Sequence, residues 1–123
     1  MTEAELMEHA QMAYGNAIAA FTVIFTMLSA YLVVAYFVGK KLSFSQVAII
    51  NTFFTISVVW MIISEVGFFA GGIQSTLEVI EINPSRALMP LHPSMPLYLA
   101  GIDFLILAAC LKFMWDIRHP KTG

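Results

Sequence analysis

Glu65 and Asp103 are the residues whose type and setting point most directly to chemistry. Each is a carboxylate inside a long apolar stretch of a chain that otherwise sorts its charges to the ends of such stretches. A charge in lipid is costly, so residues of this kind are usually paired, protonated, or turned toward a partner or a water-filled cavity. Counting about 1.5 Å per helical residue from each flanking boundary puts both in the outer leaflet, within a turn or two of one depth. Facing each other they can share a proton, because two close carboxylates do not readily both ionise. Arg86, between the two stretches, is the cation on that side available to neutralise one of them. The chemistry implied is a proton relay or an ion site. The plainer reading is a hydrogen bond that bridges helices or subunits.

Asn51 and Thr55 extend this polar character. On a wheel at 100° per residue they fall within about 80° of Glu65. A stripe of that kind lines a pore between subunits, or else forms an interface where amides and hydroxyls bond across helices. Small residues form a further pattern: Gly15, Ala19, Thr22, Thr26 and Ser29 recur at spacings of four and three, and Ser57, Ser64 and Gly71 recur every seven. Small side chains let helix backbones approach closely, and in lipid such packing drives association. Three helices cannot bury all of these faces against one another, so further copies or a partner are expected.

Methionine and histidine gather near the outer boundary, with His9 at one end and Met89, His92 and Met95 in a proline-rich stretch. Thioether and imidazole together suit copper, above all Cu(I). The alternative is that the methionines, eight in all, are ordinary apolar filler. On this reading no cofactor is required, with copper as the metal these ligand types suit. No Ser-His-Asp or Cys-His arrangement and no phosphate-binding glycine loop is present. Basic residues are not interleaved with aromatics, which gives nucleic-acid binding no support. The single cysteine, Cys110, excludes an intrachain disulfide and is expected to pack inside a helix.

The elements that position these residues follow from composition. Of 123 residues, 59% are hydrophobic and 11% are charged, which places the chain in the membrane class. A span needs roughly 20 apolar residues, and three stretches meet or approach that length. The expected order is an outer N-terminal helix over residues 2–13, lying in the headgroup region or else extending the first helix, a first span over 14–38, a second over 44–72, an outer loop over 73–96 whose mixed part 73–82 can continue as helix outside the membrane, a third span over 97–115 and a tail over 116–123. Thr2 with Glu5, and Ser43 with Gln46, have capping-box spacing. Gly39 suits a left-handed helix stop, and Ser94 suits an N-cap. The N-terminal stretch is acidic and the apolar run after it exceeds a signal-peptide core, so the first span reads as an uncleaved anchor.

Orientation follows from the basic residues. Lys40, Lys41, Lys112, Arg118 and Lys121 all fall on one side, the cytoplasmic side by the positive-inside tendency. The expectation is an all-α bundle of three transmembrane helices in a bacterial-type inner membrane, N-terminus outside and C-terminus inside. A short antiparallel hairpin lies inside and the proline-rich loop outside. Functionally, the chain reads as a non-enzymatic integral membrane subunit surrounded by lipid, assembling with itself or with other membrane subunits. The alternatives are a proton- or ion-conducting oligomer using Glu65 and Asp103, and a subunit contributing to an outer-face copper site.

Overall fold

The computed structural model describes residues 1–86, 88 and 91–121. It is all-helical: α1 spans Glu3–Val38, a 3-10 turn spans Gly39–Lys41, α2 spans Phe44–Ile82 and α3 spans Met95–Arg118. All three helices are long and apolar enough to cross a membrane, as a multi-pass membrane protein requires.

Both capping boxes form in full. The Thr2 hydroxyl accepts from the Glu5 amide while the Glu5 carboxylate accepts from the Thr2 amide. Ser43 and Gln46 repeat the exchange at the start of α2. Each box supplies partners for amides that have none within the helix.

Packing decides the helix lengths. Of the two readings of residues 2–13, extension of the first helix is the one that forms, α1 running from Glu3 to Val38 without a break. The second helix continues past Gly72 through Ile82, the helical one of the readings open to residues 73–82, and the loop is shorter by that length. The cause is long-range packing: Ile73, Thr76 and Val79 of α2 and Leu6 and Ala10 of α1 are all buried. That burial outweighs the roughly 1 kcal/mol by which each glycine disfavours a helix. At 36 and 39 residues, α1 and α2 measure about 54 and 58 Å against a hydrocarbon thickness of about 30 Å. The ends of this pair therefore project well past the apolar layer, whereas α3, with 24 residues, spans about 36 Å.

Contacts between α1 and α2 run in opposite chain order. Tyr31 stacks on Phe54 with ring centroids 4.0 Å apart, Tyr14 meets Phe69 and Thr76, and Glu3 meets Asn83 and Arg86. The core of the spanning part contains Ile24, Leu28 and Ala35 of α1, Val58 and Ile62 of α2, and Leu107, Cys110 and Met114 of α3. Outside it, Phe25, Phe53, Trp60 and Leu105 are largely exposed, as residues facing lipid are.

Gly39 is not a left-handed stop. Its backbone is right-handed at φ −54°, and the chain leaves α1 through the 3-10 turn. Glycine is needed there for closeness, because a Cβ would lie 3.2 Å from Ile117 Cγ2 and 3.3 Å from Met114 Sδ. Arg118 closes this corner, its Nη1 donating to the Gly39 and Leu42 carbonyls at 2.9 and 2.6 Å. Ser94 is not a side-chain cap either. Its hydroxyl pairs instead with His92 Nδ1 at 2.6 Å, and Pro96 occupies the first turn, where an amide is not required.

Candidate functional site

Glu65 on α2 and Asp103 on α3 are the only charged residue types buried among the described residues, at 1% and 3% exposure. Glu65 lies on the packed face of α2 with Val58, Ile62 and Gly72; Asp103 lies on the packed face of α3 with Leu107 and Cys110. The helices thus place near each other the two carboxyls that the sequence singles out. Asp103 is eight residues into α3, about 12 Å along the axis from its start.

No N–H or O–H donor among the described residues reaches Glu65 Oε1, Glu65 Oε2 or Asp103 Oδ2. Ionised carboxylates are acceptors only, so a hydrogen bond between this pair requires a proton on one of them. Two bare charges here would have no compensating donor, the costliest arrangement a buried polar group can adopt. The geometry is suited to holding a proton, or a small cation, between the two groups.

The other candidates are placed as follows. Asn51 is half-buried and accepts at Oδ1 from the Tyr31 hydroxyl at 2.6 Å. Thr55, one turn further along, is also half-buried, and both line a groove between α2 and α3 rather than a closed channel. Arg86 does not serve the carboxyl pair. It forms an ion pair with Glu3 at the projecting end of α1 and α2, more than twenty residues along the chain from Glu65 and roughly 25 Å away by helical rise.

The small residues of α1 occupy an unexpected position. Gly15, Ala19, Thr22, Thr26 and Ser29 are all exposed, and a Cβ added at Gly15 meets nothing within 4 Å. At 100° per residue this stripe lies on the side of α1 roughly opposite the buried face that carries Ala17, Ile24, Leu28 and Tyr31. The Thr22 and Thr26 hydroxyls donate to the carbonyls one turn back, so the face is small and internally satisfied. On α2, Ser57, Ser64 and Gly71 are half-buried, with the Ser64 hydroxyl donating to the Trp60 carbonyl.

Of the outer methionine and histidine set, His9 is exposed on α1, His92 is exposed before α3, and Met95 is the half-buried first residue of α3. Met89 and Pro90 lie outside the described residues. His92 Nδ1 is engaged by Ser94, which leaves Nε2 as its free ring nitrogen. Among the described residues, no three His, Cys, Asp or Glu side chains gather into a metal-binding group.

Tyr31 and Arg118 carry structural roles that the sequence patterns do not advertise. A signal for Tyr31 exists: it lies eight residues before Gly39, and Asn51 lies eight after Ser43, so folding at the turn brings them to one level. Compared with protein families, curated proteins and solved structures, the chain matches none, and its site is read from its own chemistry.

Proposed function

We propose that this protein is a small, non-enzymatic integral membrane subunit that assembles by helix packing, with copies of itself or within a larger membrane complex, in a scaffolding or accessory role. The observation that carries the reading is the outward stripe Gly15, Ala19, Thr22, Thr26 and Ser29. It offers a second helix a close backbone approach, and dispersion contacts from such approach are the main source of helix association in lipid. Lys40, Lys41, Arg118 and Lys121 cluster at one end of the bundle, which supports a hairpin on the cytoplasmic side of a bacterial-type inner membrane. The N-terminus and the proline-rich connection then lie outside. Replacing Ala19 and Thr22 together by Ile tests the assembly. In native membranes, single-molecule photobleaching or crosslinking is expected to show a multi-chain species for the wild type and loss of it in the variant. A wild type found only as a lone monomer would overturn the reading.

A second reading is favoured by the carboxyl pair: a proton- or ion-conducting oligomer in which Glu65 and Asp103 bind the moving ion, and Asn51 and Thr55 border its route. Reconstituted vesicles separate the two. Proton or cation flux abolished by Glu65→Gln supports conduction; assembled protein without flux supports the scaffold.

A further inference from the structure

A groove of about 780 Å³ opens between α2 and α3 at the end carrying Lys40, Lys41 and Lys121. Val47, Ala48, Thr55, Leu111 and Met114 line its length, and Arg118 lies at its mouth. The rims are apolar and face outward: Phe44 is 83% exposed and Trp115 is 63% exposed. Apolar length with a cation at one end is the shape of a lipid's complement rather than of a soluble metabolite's.

Three observations fix the character of the mouth. First, Arg118 is half-buried and has no carboxylate partner among the described residues, whose ion pairs are Glu3–Arg86 and Lys112–Asp116. Second, Arg118 uses one nitrogen, Nη1, on the Gly39 and Leu42 carbonyls. This holds the guanidinium plane in place, while Nε and Nη2 bond nothing among the described residues. A fixed guanidinium with free N–H groups matches a phosphate geometrically, where a lysine would offer only a point charge. Third, Asn51 has its Oδ1 occupied by Tyr31, so its amide N–H groups join Thr52 and Thr55 as polar groups along the groove. The Asn51 amide lies about 10 Å along α2 from Phe44, a depth that suits ester carbonyls below a phosphate.

We infer that this groove binds one anionic phospholipid of the lysine-rich leaflet, its phosphate on Arg118 and an acyl chain along Thr55 and Leu111. Basic pockets between helices on the cytoplasmic side take anionic headgroups on the same physical grounds. Lys40 and Lys41 add to the attraction, and Asp116 at this end is already neutralised by Lys112 at 2.7 Å. The site lies on α2 and α3, away from the outward stripe of α1, so its success or failure is independent of the assembly reading.

The test uses the full chain reconstituted in phosphatidylcholine vesicles containing a minority of phosphatidylglycerol, extracted in mild detergent and weighed intact by native mass spectrometry. The expected result is one phosphatidylglycerol retained per chain, preferred over phosphatidylcholine by about tenfold, which corresponds to about 1.4 kcal/mol. Ala48→Trp fills the groove without touching the Arg118 hydrogen bonds, and is expected to remove the retained lipid while thermal unfolding stays within a few degrees of wild type. Arg118→Lys keeps the charge and is expected to lose most of the preference. Equal retention of the two lipids by the wild type, or undiminished phosphatidylglycerol on a folded Ala48→Trp protein, overturns the inference.

Discussion

The Tyr31 hydroxyl donates to Asn51 Oδ1 at 2.6 Å, from the last turns of one apolar helix to the early turns of the next. The Tyr31 ring lies flat on Phe54, with planes only 11° apart. The hydrogen bond thus comes with a packing contact that fixes the ring. Tyr31→Phe keeps the stack and removes the donor. Its expected cost is about 0.5–1.5 kcal/mol, the usual range for one intramolecular hydrogen bond. In a double-mutant cycle with Asn51→Ala, the second substitution is expected to cost clearly less in the Tyr31→Phe background than in wild type. Reversible unfolding in mixed detergent measures this, and strictly additive losses would contradict the coupling.

Gly72 is the tightest glycine among the described residues: a Cβ there would lie 2.7 Å from Tyr14 Cε1 and 2.8 Å from Cδ1. The ring cannot swing away freely, because the Tyr14 hydroxyl is 3.3 Å from the Thr76 hydroxyl, itself bonded to the Gly72 carbonyl at 2.9 Å. Gly72→Ala is therefore expected to destabilise by about 1–3 kcal/mol, the range for overpacking a closed site. Gly71→Ala, one residue away and with nothing within 4 Å, is expected to be neutral or mildly stabilising as a better helix former. Thermal melts of the two variants side by side provide the check, and a Gly72→Ala protein as stable as Gly71→Ala would contradict the packing argument.

The same glycines mark where sequence reasoning stops. Local patterns are sufficient for the three apolar helices and for both capping boxes, because the first depend on one contiguous run of roughly 20 residues and the second on residues within one turn. The apolar span ends at the paired glycines 71 and 72, and local patterns leave open whether helix continues beyond them, yet α2 passes through them to Ile82. The reason is a partner about sixty residues earlier: Tyr14 needs the space at Gly72, and Leu6 and Ala10 belong to the same packed extension. Gly39 likewise reads as a left-handed cap and is instead a point of close approach by α3. In the candidate site, the shared depth of Glu65 and Asp103 is legible by counting residues from the boundaries. Which way the α1 stripe faces is not legible. Buried and small residues alternate along that helix, and only tertiary contacts decide which set meets α2.

The ion pair between Glu3 and Arg86 ties the start of α1 to the connection after α2. Side-chain exposures of 28% and 44% leave it well hydrated. Exposed pairs are worth about 0–1 kcal/mol and are screened by salt. Arg86→Ala is therefore expected to lower stability by no more than that, with the difference from wild type shrinking between low and high salt. Assembly and any ion flux are expected to be unchanged, since Arg86 touches neither the carboxyl pair nor the α1 stripe. A flux phenotype in Arg86→Ala would return this residue to the conduction pathway.

Glu65 and Asp103 present a test in which two changes are expected to do less harm than one. The two carboxyls are buried near each other, and no donor among the described residues reaches Glu65 Oε1, Glu65 Oε2 or Asp103 Oδ2. Glu65→Leu leaves Asp103 buried without a donor, and the expected cost is about 1–3 kcal/mol, the desolvation penalty of an unsatisfied polar group. Asp103→Leu does the same to Glu65. Replacing both by Leu removes the polar requirement altogether, and buried charged pairs exchanged for apolar residues of similar volume often lose nothing. The double variant is thus expected to be more stable than either single one. Glu65→Gln, which brings its own N–H donor to Asp103, is expected to fall near wild type. If instead the two Leu substitutions add, or Glu65→Gln is as damaging as Glu65→Leu, the carboxyls are not each other's partners. A donor from another chain or an ion would then have to occupy the space between them.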